Sequence, residues 1–107
     1  MKENDENNFS SFKDIVKDII DNDRYNLKNK FFYELIKSRW NDIIGNDFSN
    51  KTHPDRLVDT ILYVGCSNQG LIYTLNFYKK DIIKNINELF KDDINIVNIK
   101  FFFNGKI

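Results

Sequence analysis

Few residues in this chain have chemical reach: one histidine, His53, one cysteine, Cys66, and two acidic pairs, Asp21/Asp23 and Asp92/Asp93. Nucleophilic catalysis needs a nucleophile within hydrogen-bond reach of a base. His53 precedes Pro54 in a polar stretch, Cys66 closes an apolar run, and no local signature joins the two or links either to a serine. The histidine is therefore expected on the surface or packed in a loop, and the cysteine as a small buried hydrophobe. One histidine and one cysteine cannot complete a structural zinc site. The acidic pairs lack the ligand spacing and terminal glutamate of a calcium loop and read as solvated helix ends. Gly65-Cys66-Ser67-Asn68-Gln69-Gly70 enters a helix start, a generic anion-binding geometry. It carries neither the Walker lysine nor the dinucleotide glycine spacing. No catalytic, cofactor or metal site is expected, and the chain reads as a non-enzyme.

Surfaces are more informative. Tyr73, Phe77, Lys80, Lys84 and Lys91 fall opposite the apolar stripe of a long helical stretch. An aromatic pair continued by lysines can stack bases and pair phosphates, or grip an acidic partner. The competing reading places Tyr73 and Phe77 beneath an N-terminal helix and leaves the lysines solvated. Ile61, Tyr63 and Phe102 share the outer face of a sheet, either open to a partner or covered. Lys28, Lys30, Lys37 and Arg39 make a second basic helix face. Trp40, the only tryptophan, lies on an apolar stripe, so core packing competes with a contact role.

These positions need a scaffold, and 107 residues suffice for one domain with one core. Residues 1–9 read as a disordered N-terminal tail and 10–107 as the single domain. Phe12, Ile15, Val16, Ile19 and Ile20 predict a first helix over Phe12–Asp21. A second is predicted from Leu27 to Ile44 with its stripe on Phe32, Leu35, Ile36, Trp40 and Ile43, stopped by Gly45 in a left-handed turn. After a polar connection, Arg56–Val58 is expected as a short edge strand and Ile61–Cys66 as a better one. Ser67 or Asn68 caps a third helix, Gln69–Lys91, with its core stripe on Leu71, Leu75, Tyr78, Ile82, Ile86 and Leu89. Asn95–Phe103 makes the last strand, with Val97, Ile99, Phe101 and Phe103 on its apolar face. The class is α+β, a small sheet with helices on one face, the strand order left open.

Sixteen basic and sixteen acidic residues give zero net charge, which argues against strong sequence-independent nucleic-acid binding. A lone cysteine suits a reducing compartment. No signal-like or membrane-spanning apolar run occurs, so a soluble, cytoplasmic protein without membrane contact is expected.

In order along the chain, several stretches resemble one bacterial family. Trp40-Asn41-Asp42-Ile43-Ile44-Gly45 is similar to the W-x-x-[IV]-[IV]-G signature of the DciA family. Thr52-His53-Pro54, the strand Ile61–Val64, the helix from Leu75 to Ile86 and the closing stretch Val97–Gly105 follow in that family's order. The resemblance covers roughly residues 27–105. It implies a KH-like α+β domain, two helices then β-β-α-β, acting as an operator or loader of the replicative DnaB-type helicase. It also implies weak contact with single-stranded DNA or RNA. Arg39, Trp40, Tyr73, Phe77, Lys80 and Lys84 are the expected contact residues, and a KH-like RNA-binding module is the alternative. Gly70-Leu71 departs from the aromatic-Ala pair of many members. The Gly-x-x-Gly loop of KH domains is missing, so backbone clamping of that kind is not carried over. The sequence also ends without the basic tail of some members, so tail-borne DNA contact is not expected.

Overall fold

Phe32 and Ile36, one turn apart, pin the helix α1 (Leu27–Ser38) against the sheet. In the computed structural model, residues 27–91 and 94–107 are described. The expected tail 1–9, the helix Phe12–Asp21 and both acidic pairs lie outside them. From α1, the Tyr33 hydroxyl donates to the Pro54 carbonyl at 2.8 Å and the Asn29 amide to the Leu57 carbonyl at 3.3 Å. Both acceptors belong to β1 (Thr52–Val58), so α1 is bonded to that strand as well as packed on it.

The helix predicted through Ile44 breaks at Arg39 (φ −113°, ψ 19°) and restarts as α2 (Trp40–Ile44). Periodicity is blind to this break, because Phe32, Ile36, Trp40 and Ile43 keep one apolar face through it. The redirected turn brings the Trp40 indole N–H to the Thr52 hydroxyl at 2.9 Å, and that hydroxyl donates to the Phe48 carbonyl at 2.7 Å. Gly45 ends α2 at φ 92°, ψ 158°. This is an extended positive-φ conformation reserved for glycine, not the left-handed turn expected. One further turn, α3 (Asn46–Ser49), seats Phe48 against the core.

The first strand is longer than Arg56–Val58 because Thr52, held by Trp40, starts it early. Pro54 is tolerated because β1 is an edge, and a register shift between Pro54 and Arg56 absorbs Asp55. A tight turn at Asp59 (φ 54°) leads antiparallel into β2 (Ile61–Cys66), as predicted. The sheet order is β1-β2-β3, with β3 (Asn98–Phe103) parallel to β2.

The crossover is two helices rather than one, α4 (Gln69–Phe77) and α5 (Lys79–Leu89), broken at Tyr78 (φ −97°, ψ 6°). A continuous helix over 69–91 would span about 34 Å at 1.5 Å per residue, far beyond a six-residue strand of about 20 Å. Breaking it lets Leu71 and Leu75, then Ile82 and Ile86, each meet the core. Tyr78 is consequently half exposed, and Leu89 is exposed at the end of α5, so both leave the predicted stripe. The last strand begins three residues late for a similarly specific reason. The Asn87 amide donates to the Ile96 carbonyl at 3.0 Å and accepts from the Ile96 N–H at 2.8 Å. Those backbone groups are lost to the ladder, and 94–97 lies against α5 with Ile94 and Ile96 buried. Val97 and Phe103 are exposed instead of facing the core.

Leu57, Leu62, Val64, Cys66 and Ile99 form the inner face of the sheet beneath the helices. The pairing sets three rows on the outer face: His53–Gly65–Phe102, Arg56–Tyr63–Lys100 and Val58–Ile61–Asn98. A Cβ at Gly45 would meet no heavy atom within 4 Å. The cost of Gly45→Ala is therefore backbone strain alone, and the expected loss is about 1–3 kcal/mol in urea unfolding with an unchanged m-value.

Candidate partner-binding surface

Asn68 opens α4 by accepting from the Leu71 N–H at 2.8 Å. One N–H of this helix start is thus engaged by the chain's own side chain at the place where Gly65–Gly70 reads as an anion-binding geometry. With Leu71 and Leu75 buried, residues two further along sit about 200° around the helix and must face outward. Tyr73 and Phe77 occupy those places, 72% and 73% exposed, with ring centroids 5.4 Å apart and planes at 86°. The edge-to-face contact makes them one rigid apolar knob on the surface.

Lys80 and Lys84 are exposed one turn apart on α5, beyond the break at Tyr78, so helical phase does not carry over from the aromatic pair to the lysines. Arg39 is exposed and its Nε donates to Asp42 at 2.7 Å, within the turn that joins α1 to α2. Trp40 is only 6% exposed and its N–H is spent on Thr52. The structure thus unites Tyr73 with Phe77 and sets Lys80 and Lys84 on a separate helix. Arg39 sits in an ion pair, and Trp40 lies inside the core.

A second cluster was legible only in part. Strand alternation places Lys100 with Phe102 on one face of the last strand, and Tyr63 and Phe102 on the outer sheet face, but it does not bring Arg56 and Lys100 to Tyr63. The Arg56 guanidinium lies 4.3 Å from the Tyr63 ring centroid and the Lys100 ammonium 5.8 Å from it. The missing signal is cross-strand register, which a single sequence leaves open.

His53 and Cys66 occupy neighbouring rows but opposite faces of the sheet, so strand geometry keeps them apart. Cys66 is fully buried, and burial pushes its thiol up to about 11. Among the described residues no group of three or more His, Cys, Asp or Glu is placed to hold a metal ion. No described helix is long and apolar enough to cross a membrane.

The model of the family described as Dna[CI] antecedent, DciA, matches residues 11–101. The chain belongs to the DciA family. That match begins one residue before the predicted first helix and ends at Phe101 inside β3, so it takes in every other described element whole and four of the six residues of β3. DciA is a family related to loading of the DnaB helicase and is not a family of enzymes. A search of curated proteins finds no match to this chain.

Within this DciA fold, Thr52→Val removes the acceptor from a buried indole N–H. The expected cost is about 1–3 kcal/mol by urea unfolding. Trp40→Ala, which empties a core position, is expected to cost about 3–5 kcal/mol.

The thiol also predicts an alkaline limit. An unfolded cysteine ionises near pH 8.5 or so, whereas folded Cys66 holds its proton to about 11. Between those values the unfolded chain binds fewer protons, so stability is full below the window and falls as pH rises through it. Tyr33 adds to the decline at higher pH, its phenol pushed up by burial first and then by the Glu34 and Asp55 carboxylates. Thermal melts of Cys66→Ala across this range should show a shallower decline than wild type. Native Cys66 should react with a thiol reagent far more slowly than in denaturant.

Proposed function

We propose that the chain is a non-enzymatic adaptor that binds the replicative DnaB-type helicase and assists its loading, with weak DNA contact. The DciA match over residues 11–101 carries this reading. A protein that binds one conformation of the helicase ring better than another shifts the ring toward it, and differential binding alone supplies the driving force. The surface that best suits this role is the Tyr73–Phe77 knob together with Lys80 and Lys84. Rigid exposed aromatics anchor interfaces at low entropic cost, and flanking lysines steer an acidic partner. Arg39, exposed and paired with Asp42, is a further contact residue of this reading, and Trp40 supports the fold from within. A KH-like RNA-binding module is the second reading, favoured by the Tyr63 and Phe102 rings on the outer sheet face.

Co-elution with the helicase of the same organism at moderate salt tests the adaptor. Tyr73→Ala with Phe77→Ala is expected to weaken binding by roughly 30-fold, the size of a 2 kcal/mol anchor. Lys80→Glu with Lys84→Glu should weaken it with a larger effect at low salt. Binding to RNA alone, without helicase, would favour the second reading. Unchanged helicase affinity in both double variants removes this patch.

A further inference from the structure

We infer that β3 is where two copies of this chain join, antiparallel about a two-fold axis at Phe102, so that two three-stranded sheets become one. This goes beyond the adaptor reading and does not depend on it.

Backbone phase is the first observation. The strand order leaves β3 at a margin, and in a parallel pair alternate residues turn both backbone groups to the same neighbour. The Asn104 N–H donates to the Cys66 carbonyl at 2.8 Å, which fixes that phase. Asn98, Lys100 and Phe102 therefore serve β2, while Ile99, Phe101 and Phe103 turn away from it. The Ile99 N–H is held by the Asn98 side-chain oxygen at 2.9 Å. Among the described residues, nothing bonds the outward N–H and C=O groups of Phe101 and Phe103. The strand has neither a proline nor a register shift, devices that commonly protect an exposed edge.

Self-complementarity is the second, and it selects the occupant. With the axis at Phe102, Phe101 of each copy faces Phe103 of the other, and each N–H meets the opposite carbonyl. Both outward residues are then satisfied, and the Ile99 N–H stays with Asn98. The Phe103 ring, 53% exposed, comes beside the half-buried Phe101 ring of the second copy, and the two Phe102 rings meet on the other face. Lys100 falls opposite Asn104, so no like charges oppose. An axis at Lys100 sets two ammonium groups against each other, and an axis at Phe101 needs the Ile99 N–H. Zero net charge leaves the copies without mutual repulsion. An unrelated extended peptide offers the hydrogen bonds alone, whereas a second β3 also brings matching rings. An isologous contact uses the same strip on both copies, so assembly stops at the dimer. A contact this small is of the weak, transient class, with dissociation expected at about 100 µM.

The test is sedimentation equilibrium of the full chain across that concentration, where a reversible monomer–dimer equilibrium is expected. Phe102→Lys opposes two cations at the axis and should weaken dimerisation roughly tenfold. Phe103→Pro removes an outward N–H and an exposed ring, spares the bonds to β2, and should act in the same direction. Phe102→Cys should form a disulfide between copies on mild oxidation, because opposed residues at such a site have Cα atoms about 4.5 Å apart. Lys100→Cys lies roughly 13 Å from its own counterpart and should stay unlinked. The native Cys66 is buried and takes no part. A chain that sediments as a monomer throughout overturns the proposal, as does a dimer indifferent to both Phe102→Lys and Phe103→Pro. Linking of Lys100→Cys in place of Phe102→Cys overturns the register. Hydrogen exchange followed by NMR identifies the occupant: the Phe101 and Phe103 amides should gain protection as chain concentration rises. Protection gained only when the DnaB-type helicase is added overturns self-pairing and assigns this edge to a strand of that partner.

Discussion

Trp40, Thr52 and Phe48 form a short relay: indole N–H to hydroxyl, hydroxyl to carbonyl. All three members come from the segment that joins the helices to the sheet. Thr52 is the first residue of β1, so the relay fixes where the strand begins and hence which residues of α1 lie over it. The register of β1 on β2 then decides the whole outer face. A buried donor left without its acceptor is costly, whereas the bond itself contributes modestly. The relay therefore acts more as a constraint on register than as a large source of stability. Gly45 belongs to the same arrangement, since only a residue without a Cβ adopts its backbone angles between Trp40 and Phe48.

The core divides the molecule into two surfaces of different character. The helical side presents an apolar knob, Tyr73 on Phe77, with lysines nearby on a separate helix. The sheet side presents cations stacked on a ring. Because the two lie on elements at opposite sides of the core, occupying one does not sterically exclude the other. That separation suits an adaptor, which must hold one macromolecule while engaging another.

Much of the α+β architecture was legible from pattern. β2 was placed to the residue, because Leu62, Val64 and Cys66 alternate cleanly and Asn68 marks the next helix start. Leu71, Leu75, Ile82 and Ile86 were correctly read as core. What escaped was set by tertiary bonds. Nothing in the spacing around Ile96 announces that Asn87 claims its backbone, and nothing around Arg39 announces that the next turn reaches for Thr52. The break at Tyr78 follows from the short strands the helices must cover, a constraint that periodicity along one segment does not contain. For the surfaces, helical phase sets Tyr73 and Phe77 opposite the apolar stripe but leaves open whether another helix covers them, and their exposure comes from the structure. The two cations around Tyr63 come from the two strands on either side of it, and their meeting at one ring needed the pairing.

Pro54 has a further consequence. It presents no N–H, the chain is irregular beside it, and the Pro54 and Leu57 carbonyls are already engaged by α1. An incoming strand therefore meets no run of free donors and acceptors along this margin. Edge-to-edge stacking of copies, the usual route from small open sheets to fibrils, is blocked at β1 by the same contacts that dock the helix.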